Sequence, residues 1–221
     1  MTLFQSAPLA GLIARLFAEE AAQRARLETL FADVDETEQA RLMQSRDGYR
    51  ELYHRMREIP LAVSPETGQL LYMLARAAQV RTIVEFGTSF GISTIHLAAA
   101  LRDNGGGHLI TSEFEPGKVA HARANLTEGG LADLVEFREG DALETLAKDL
   151  PDAIDLLLLD GAKALYPDVL ALAEPRLRSG AIVVADNADW CPDYLAQVRD
   201  PGGRYLSFPF GPDVEVSVLA R

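Results

Sequence analysis

Three largely apolar runs in this chain each end in polar residues whose types could support chemistry. The runs cover residues 83–86, 156–159 and 182–185. Apolar runs of this length are typical of parallel strands that are buried on both faces. Such strands deliver the residues that follow them to the carboxyl edge of a sheet, where ligands bind. We therefore expect the three run ends to form one functional site.

The first run leads into a short loop between two glycines, Gly87 and Gly91. Without Cβ atoms, these positions allow the backbone to approach a ligand closely. Ser89 replaces the second glycine of the dinucleotide fingerprint, so close contact with a pyrophosphate is disfavoured. Glu85 instead suits a ligand that carries an ammonium group, and Glu113, at the next strand end, can accept both ribose hydroxyls. These features predict binding of S-adenosylmethionine.

Asp141 follows the third predicted strand and has two interpretations. It could approach the adenine of the cofactor, because it lies at the same sheet edge. It could also cap the short helix that begins at Ala142. The sequence leaves both open.

The second and third runs end in residues that could share a divalent cation. Asp160, Asp186 and Asn187 offer hard oxygen donors, which Mg²⁺ and Ca²⁺ prefer. Two neighbouring carboxylates behind apolar strands would repel each other without a cation. Lys163 can reach the same place, where a cation and partial burial would favour its neutral form and a role as base. From residue type alone, pairing of Lys163 with a carboxylate such as Asp160 or Asp186 is the favoured interpretation.

The composition limits the class of protein. The 221 residues are 48% hydrophobic, enough for one large core, and the net charge of −12 argues against nucleic acid as a partner. A single cysteine, Cys191, excludes an intrachain disulfide. No run approaches the roughly 20 apolar residues that span a bilayer, so we expect no membrane partner and a cytoplasmic location.

The pattern of elements predicts an α/β fold in two parts. Residues 1–60 have apolar side chains at helical spacing and read as an N-terminal helical extension of the same domain, which covers the sheet or a second subunit. Residues 61–221 alternate strands with helices, which indicates a mainly parallel sheet, and end in an antiparallel hairpin. The predicted strands are 82–86, 108–113, 135–139, 154–160, 181–186, 204–208 and 214–219, and the helices between them include 64–78, 93–101, 116–128 and 167–177.

From Leu61 to Arg221 the chain resembles the cation-dependent group of class I S-adenosylmethionine-dependent O-methyltransferases, which contains catechol and caffeoyl-CoA O-methyltransferases. The matching stretches are V-S-P-E-T-G-Q from Val63, E-F-G-T-S-F-G-I-S-T from Glu85, L-I-T-S-E from Leu109, L-D-G-A-K-A-L-Y from Leu159, A-D-N from Ala185 and D-Y-L-A-Q-V-R from Asp193. The resemblance implies a Rossmann-like, seven-stranded methyltransferase sheet with a reversed terminal hairpin.

The resemblance also assigns roles to residues. It implies that Asp160, Asp186 and Asn187 bind the metal ion and that Lys163 is the catalytic base. It implies cofactor contacts for seven positions. Gly91, Asp141 and Asp160, which follow the ends of predicted strands, are further candidates for cofactor contacts. Those seven are Val63, Glu85, Gly87, Ser89, Ser93, Glu113 and Ala142.

The acceptor is less well defined by these patterns. Many relatives read D-A-D-K where this chain has D-G-A-K from Asp160, and catechol methyltransferases carry a glutamate where this chain has Pro209 and Phe210. Trp190 and Tyr194, just after the metal-ligand strand, could form an aromatic gate for the acceptor or could pack within their loop.

These observations predict an Mg²⁺-dependent O-methyltransferase that acts on a small, hydroxylated, catechol-like acceptor, and the amphipathic extension suggests a homodimer. Three alternatives remain open. They are cation-independent methyl transfer, a protein that binds S-adenosylmethionine without turnover, and a nicotinamide-dependent oxidoreductase.

Overall fold

The computed structural model describes residues 2–220 and is built around one seven-stranded sheet. The strands lie in the order β3-β2-β1-β4-β5-β7-β6, with β1 to β5 parallel and the β6–β7 hairpin antiparallel to β5. The strands are β1 (Thr82–Phe86), β2 (His108–Glu113), β3 (Val135–Glu139), β4 (Ile154–Leu159), β5 (Leu177–Ala185), β6 (Tyr205–Phe210) and β7 (Val214–Leu219). The sheet therefore confirms the predicted fold class, including the reversed hairpin.

Nine α-helices surround the sheet within the described residues. They are α1 (Ala7–Leu30), α2 (Glu36–Met43), α3 (Tyr49–Arg55), α4 (Pro65–Ala77), α5 (Ile92–Asp103), α6 (Pro116–Glu128), α7 (Ala142–Thr145), α8 (Tyr166–Ala173) and α9 (Pro192–Val198). Local sequence explains the start of α4, because the Ser64 hydroxyl accepts a hydrogen bond from the Thr67 amide and Pro65 occupies the first turn. In residues 2–220 no helix is both long and apolar enough to cross a membrane.

Each face of the sheet carries its own core, as the alternation of side chains along a strand requires. Ile83 points to the face that packs against α4 and α5, whereas Val84 points to the face that packs against α8 and α9. The N-terminal extension contributes to the first core through Leu9, Leu12 and Leu16 of α1. Helix α1 therefore covers the sheet in the way that its apolar spacing predicts.

The fifth strand is longer than the sequence suggested. The predicted helix 167–177 ends earlier, and β5 begins at Leu177, which pairs with Ile154. A shift in register follows that first pair before regular pairing resumes at Leu156 and Ile182. The early part of β5 exists because it pairs with β4, a tertiary contact that the polar residues at this point do not reveal.

The register aligns the carboxyl ends of four strands at one edge. The Gly87 amide donates to the carbonyl of Ser112, and the Asp160 amide donates to the carbonyl of Phe86. The Asp186 amide in turn donates to the Leu159 carbonyl. The order of strands reverses between β1 and β4, which is the crevice where ligands bind in open α/β sheets.

Candidate functional site

A cavity with about 640 Å³ of empty volume lies over the carboxyl ends of β1 and β2, and we call it the glycine-loop cavity. It is bounded by the loops after β1, β2, β3 and β4 and by helix α3. Six of the predicted cofactor residues line it, namely Gly87, Ser89, Glu113, Asp141, Ala142 and Asp160.

The loop after β1 requires glycine at its first position. Gly87 has φ = +99°, and a Cβ atom there would lie 2.4 Å from the carbonyl oxygen of Asp160. Ser89 is also left-handed, with φ = +48°, and its hydroxyl accepts a hydrogen bond from the Leu61 amide at 2.9 Å. The loop is therefore held close to β4 on one side and to the segment before α4 on the other.

Glu113 is oriented by backbone donors at the end of β2. Its Oε2 accepts a hydrogen bond from the Ser89 amide at 2.7 Å, and its Oε1 accepts one from the Glu115 amide at 3.0 Å. A carboxylate can accept about four hydrogen bonds, so each oxygen retains acceptor capacity on a residue that lines the cavity. This arrangement suits a ligand with two adjacent hydroxyl groups.

Glu85 lies behind the cavity and not in its wall. The carboxylate is fully buried and accepts hydrogen bonds of 2.6 Å from each of the hydroxyls of Ser93, Thr94 and Thr111. Burial raises the pKa of Glu85 from its usual value to about 7, although the three hydroxyls oppose this effect. The alternation of side chains along β1 explains why the Glu85 side chain points away from the cavity, because Glu85 shares a sheet face with Ile83.

Three other predicted cofactor residues also lie outside the lining of the glycine-loop cavity. Val63 is buried, and Ser93 donates to the carboxylate of Glu85. Gly91 precedes α5 with φ = +86°, and a Cβ atom there would lie 3.2 Å from the Ala122 side chain. Gly91 therefore allows α5 and α6 to approach each other.

Asp141 combines both roles that the sequence left open. Its side chain accepts a hydrogen bond from the Leu143 amide at 2.9 Å, which caps α7, and it also lines the cavity. It further accepts hydrogen bonds from the Tyr49 hydroxyl at 2.6 Å and from the Arg50 guanidinium. Partial burial alone would raise the pKa of Asp141, but these donors lower it below its usual range.

Helix α3 covers the glycine-loop cavity, which the sequence did not predict. Besides the contacts to Asp141, the Tyr53 hydroxyl donates to the Gly161 carbonyl at 3.2 Å. The His54 Nδ1 lies 2.8 Å from the Glu115 carboxylate. These polar contacts fasten a short helix of the N-terminal extension across the cavity.

A second cavity, with about 820 Å³ of empty volume, lies beside the first over β4 and β5, and we call it the lysine cavity. Asp160, Lys163, Asp186 and Asn187 line one part of it. The extension supplies most of the remaining wall, which is largely apolar and comprises Glu20, Leu27, Phe31, Gln39, Met43, Tyr53, Met56, Pro60, Leu61 and Ala62. Asp160, Tyr53 and Leu61 line both cavities, so the two meet at the end of β4.

Lys163 is buried and paired with Asp160. The Nζ atom donates a hydrogen bond of 2.9 Å to Asp160 Oδ1, and the residue is 4% exposed. Burial lowers the pKa of Lys163, as the sequence suggested, but the charge of Asp160 and further groups outweigh burial and raise the pKa well above its usual value. In this arrangement Lys163 is an ammonium, and the carboxylate pairing foreseen from residue type is present.

Asp186 and Asn187 extend the polar group at the end of β5. Asp186 is 6% exposed, and burial, followed by the nearby charge of Asp160, raises its pKa to about 7. Asn187 adopts a left-handed conformation with φ = +48°, and its Nδ2 donates to Asp213 Oδ2 at 3.2 Å. The amide oxygen of Asn187 thus remains available beside the carboxylates in the wall of the lysine cavity.

The oxygen donors of Asp160, Asp186 and Asn187 are of the type that a hard divalent cation prefers. In the described part of the chain, no group of three or more His, Cys, Asp and Glu residues is arranged to hold a metal ion. At the ends of β4 and β5, the lysine cavity offers the carboxylates of Asp160 and Asp186 and the amide oxygen of Asn187. A cation would relieve the mutual repulsion of the two carboxylates.

The two aromatic residues predicted for the acceptor lie outside both cavity linings. Trp190 belongs to the turn after β5. Tyr194 is fully buried in α9, with its ring 5.8 Å from that of Tyr166. Leu27 and Phe31 of the extension line the lysine cavity instead, and their helical spacing was the only sequence signal of that position.

Over part of its length the chain is similar to known methyltransferases. A family described as a methyltransferase domain matches residues 84–188, from the middle of β1 to the turn after β5. A catechol O-methyltransferase of Mycobacterium tuberculosis is 38% identical over 144 residues, which cover 65% of this chain and 64% of that protein. A catechol O-methyltransferase of Niastella koreensis is 36% identical over 130 residues, which cover 58% of each chain. The matched segments thus span less than two thirds of these relatives.

The structural comparison covers more of the chain. The crystal structure of the O-methyltransferase TomG from Streptomyces achromogenes, involved in tomaymycin synthesis and in complex with SAM, superposes with a TM-score of 0.63. It is 26% identical, and the match covers 89% of this chain and 96% of TomG.

Proposed function

We propose that this chain is an O-methyltransferase. Residues 84–188 match the methyltransferase-domain family, and part of the chain is similar to bacterial catechol O-methyltransferases. The methyl donor is S-adenosylmethionine, and the acceptor is a small, hydroxylated, catechol-like molecule. The observation that carries the proposal is the contact between the two cavities at Asp160, with Lys163 beside it. A donor and an acceptor bound in adjacent cavities would meet there.

The charge of the glycine-loop cavity supports S-adenosylmethionine as the ligand. Its lining contains four carboxylates, Glu113, Glu115, Asp141 and Asp160, and a single lysine or arginine, Lys118, among the described residues. This charge suits a cationic sulfonium and opposes a pyrophosphate, which argues against a nicotinamide dinucleotide. Among the similar structures, TomG is in complex with SAM.

The wall of the lysine cavity supports a small aromatic acceptor. Leu27, Phe31 and Met43 offer an apolar surface to a ring. Asp160 and Asp186 supply polar groups in another part of the same wall. We propose that Asp160, Asp186 and Asn187 hold Mg²⁺ or a similar divalent cation. Such a cation supplies positive charge that polarises the acceptor oxygens and lowers the pKa of the attacked hydroxyl.

The chain's own residues then have defined tasks. Lys163 lines the lysine cavity and, in the arrangement described, is an ammonium paired with Asp160. A cation held by Asp160 would offset the charge that keeps Lys163 protonated, and the neutral amine would then take the proton that the hydroxyl loses. The acceptor oxygen forms a bond to the methyl carbon as the carbon–sulfur bond breaks, which yields a methyl ether and S-adenosylhomocysteine. The buried walls and helix α3 exclude water and hold the two reactants in line.

Transfer of labelled methyl to a panel of catechols, caffeoyl esters and other polyhydroxylated aromatics tests the proposal. We expect product with Mg²⁺, loss of product with EDTA and recovery when excess Mg²⁺ is added. Lys163→Met should lower kcat by roughly 100-fold or more, the usual effect of removing a general base. The exposed Lys148→Met serves as the matched control and should leave kcat unchanged.

Other outcomes of this assay select the alternatives. Product that is insensitive to EDTA and to Asp186→Asn would indicate cation-independent methyl transfer. Binding of S-adenosylmethionine without transfer to any acceptor would indicate a binding protein without turnover. The ion pair between Lys163 and Asp160 is compatible with that alternative, because a paired ammonium is not a base. Binding of NAD(P)H in place of S-adenosylmethionine would overturn the proposal.

We also propose a cytoplasmic homodimer. Edge strand β6 exposes Leu206 and Phe208, which are 73% and 74% exposed, on the outermost strand of the sheet. Apolar side chains on such an edge favour pairing with a second copy of the chain. Sedimentation of the wild type and of Phe208→Lys tests the dimer, because the charge should shift the protein towards monomer. Cell fractionation tests the location.

A further inference from the structure

Lys118 is a buried lysine without a direct partner in the wall of the glycine-loop cavity. It lies in the first turns of α6 and is 3% exposed. Among the side chains that the structure describes, none makes a hydrogen bond or an ion pair with its ammonium. The backbone of α6, which begins at Pro116, fixes its position.

The surroundings of Lys118 show why this burial is costly. Burial lowers the pKa of the ammonium, whereas the charges of Glu113, Glu115 and Asp160 act at a distance to raise it. None of these carboxylates makes a hydrogen bond to the ammonium, so its donors are available to a ligand of the glycine-loop cavity, whose wall it lines. Burying a charged group costs free energy, and a hydrogen bond to a ligand offsets part of that cost.

Glu113 indicates which partner fits. Each of its carboxylate oxygens already accepts one backbone hydrogen bond, from Ser89 or from Glu115, and each can accept one more from a ligand hydroxyl. A hydroxyl that donates to a carboxylate still has lone pairs, and inside a cavity these require a donor. An ammonium in the same wall satisfies that requirement.

We propose that Lys118 is a cofactor-binding residue whose ammonium donates a hydrogen bond to the ribose hydroxyls that Glu113 accepts. This inference rests on the proposed function, because it takes the ligand of the cavity to be S-adenosylmethionine. The ribose is then held from both sides, by an anionic acceptor on β2 and a cationic donor on α6.

A purely structural role for Lys118 makes a different prediction. If the ammonium only relieved repulsion among Glu113, Glu115 and Asp160, its removal would destabilise the empty protein. If it is kept for the ligand, replacement by an apolar side chain of similar length should leave the empty protein as stable as before or more stable.

The experiment uses the full chain with Lys118→Met, and Lys148→Met as an exposed lysine control. Calorimetric titration with S-adenosylhomocysteine should give a Kd about 10-fold higher for Lys118→Met and an unchanged Kd for the control, the usual size for a hydrogen bond to a charged group. The denaturant midpoint of ligand-free Lys118→Met should not fall. Lys118→Gln, which keeps a shorter donor, should bind with intermediate affinity and provides a second variant for the same comparison.

Ligand analogues locate the contact. The 2′-deoxy and 3′-deoxy forms of S-adenosylhomocysteine should bind the wild type more weakly than the parent, and at least one should lose less affinity with Lys118→Met. Three results would overturn the role of Lys118 and leave the proposed function standing. They are equal Kd values for the wild type and Lys118→Met, a lower denaturant midpoint for ligand-free Lys118→Met, and the same loss of affinity for every analogue in both proteins. Failure of the wild type to bind S-adenosylhomocysteine at all would overturn the proposed function as well.

Discussion

Replacement of Glu85 by glutamine should flatten the dependence of stability on pH. In the folded protein, burial holds the pKa of Glu85 at about 7, compared with its usual 4.5. The folded state therefore binds more protons than the unfolded state between these two values. Stability falls as pH rises through that window, because the unfolded chain ionises first.

The separation between 4.5 and about 7 sets the magnitude of the effect. At about 1.36 kcal/mol for each pH unit, it corresponds to a loss of about 3 kcal/mol by neutral pH. Glutamine carries no charge, and its amide oxygen can still accept hydrogen bonds from the hydroxyls of Ser93, Thr94 and Thr111. Glu85→Gln should thus be similar to the wild type near pH 5 and more stable than it at pH 8.

Urea unfolding followed at intervals from pH 5 to pH 8 measures this difference. The comparison between Glu85→Gln and the wild type removes contributions from other groups, including Asp186, whose pKa is also raised. Glu139→Gln provides a matched control, because Glu139 is an exposed carboxylate at the end of β3. A constant difference between Glu85→Gln and the wild type across this pH range would refute the reasoning, since it would mean that buried Glu85 titrates as it does in the unfolded chain.

Three further predictions concern other contacts at and near the site. Gly87→Ala should lower the unfolding free energy by roughly 3 kcal/mol and abolish binding of S-adenosylhomocysteine, because the new Cβ would lie 2.4 Å from the carbonyl oxygen of Asp160. Asp141→Asn should speed dissociation of S-adenosylhomocysteine by about 10-fold in a competition assay, since it loses the charged contact to Arg50 that fastens α3. Arg199→Met should cost roughly 3 kcal/mol in urea unfolding, because it leaves the carboxylate of Glu215, which is 1% exposed, without its cation.

The predictions for Gly87→Ala and Arg199→Met each have a matched control. Gly106 has φ = +108° with nothing within 4 Å of a built Cβ, so Gly106→Ala should cost only about 1 kcal/mol. Arg176 pairs with Asp152 at the surface, and Arg176→Met should change stability by less than about 0.5 kcal/mol. Equal effects of variant and control in either pair, or an unchanged dissociation rate for Asp141→Asn, would contradict the structural explanation.

Some properties of Glu85 and Asp141 follow from their positions near the ends of strands, and others do not. The period of two along a strand places Glu85 on the same face as Ile83, so its burial behind the cavity could have been read from the sequence. The capping role of Asp141 was also readable, because it depends on neighbouring backbone. The contacts of Asp141 to α3 were not, since they join residues about 90 positions apart.

The sequence by itself determined the strands of the sheet, apart from the early part of β5, and the residues at their carboxyl ends. Buried parallel strands leave continuous apolar runs, and glycine is required where the backbone turns tightly. Only the tertiary structure decided what covers those ends. Helix α3 lies over the glycine-loop cavity, and α1 and α2 wall the lysine cavity. Their positions depend on contacts between distant segments, such as Tyr53 with Gly161, and such contacts leave no periodic signal in the chain. The burial of Lys118 was hidden for the same reason, because an isolated lysine in a helix is usually exposed until the packing of its neighbours encloses it.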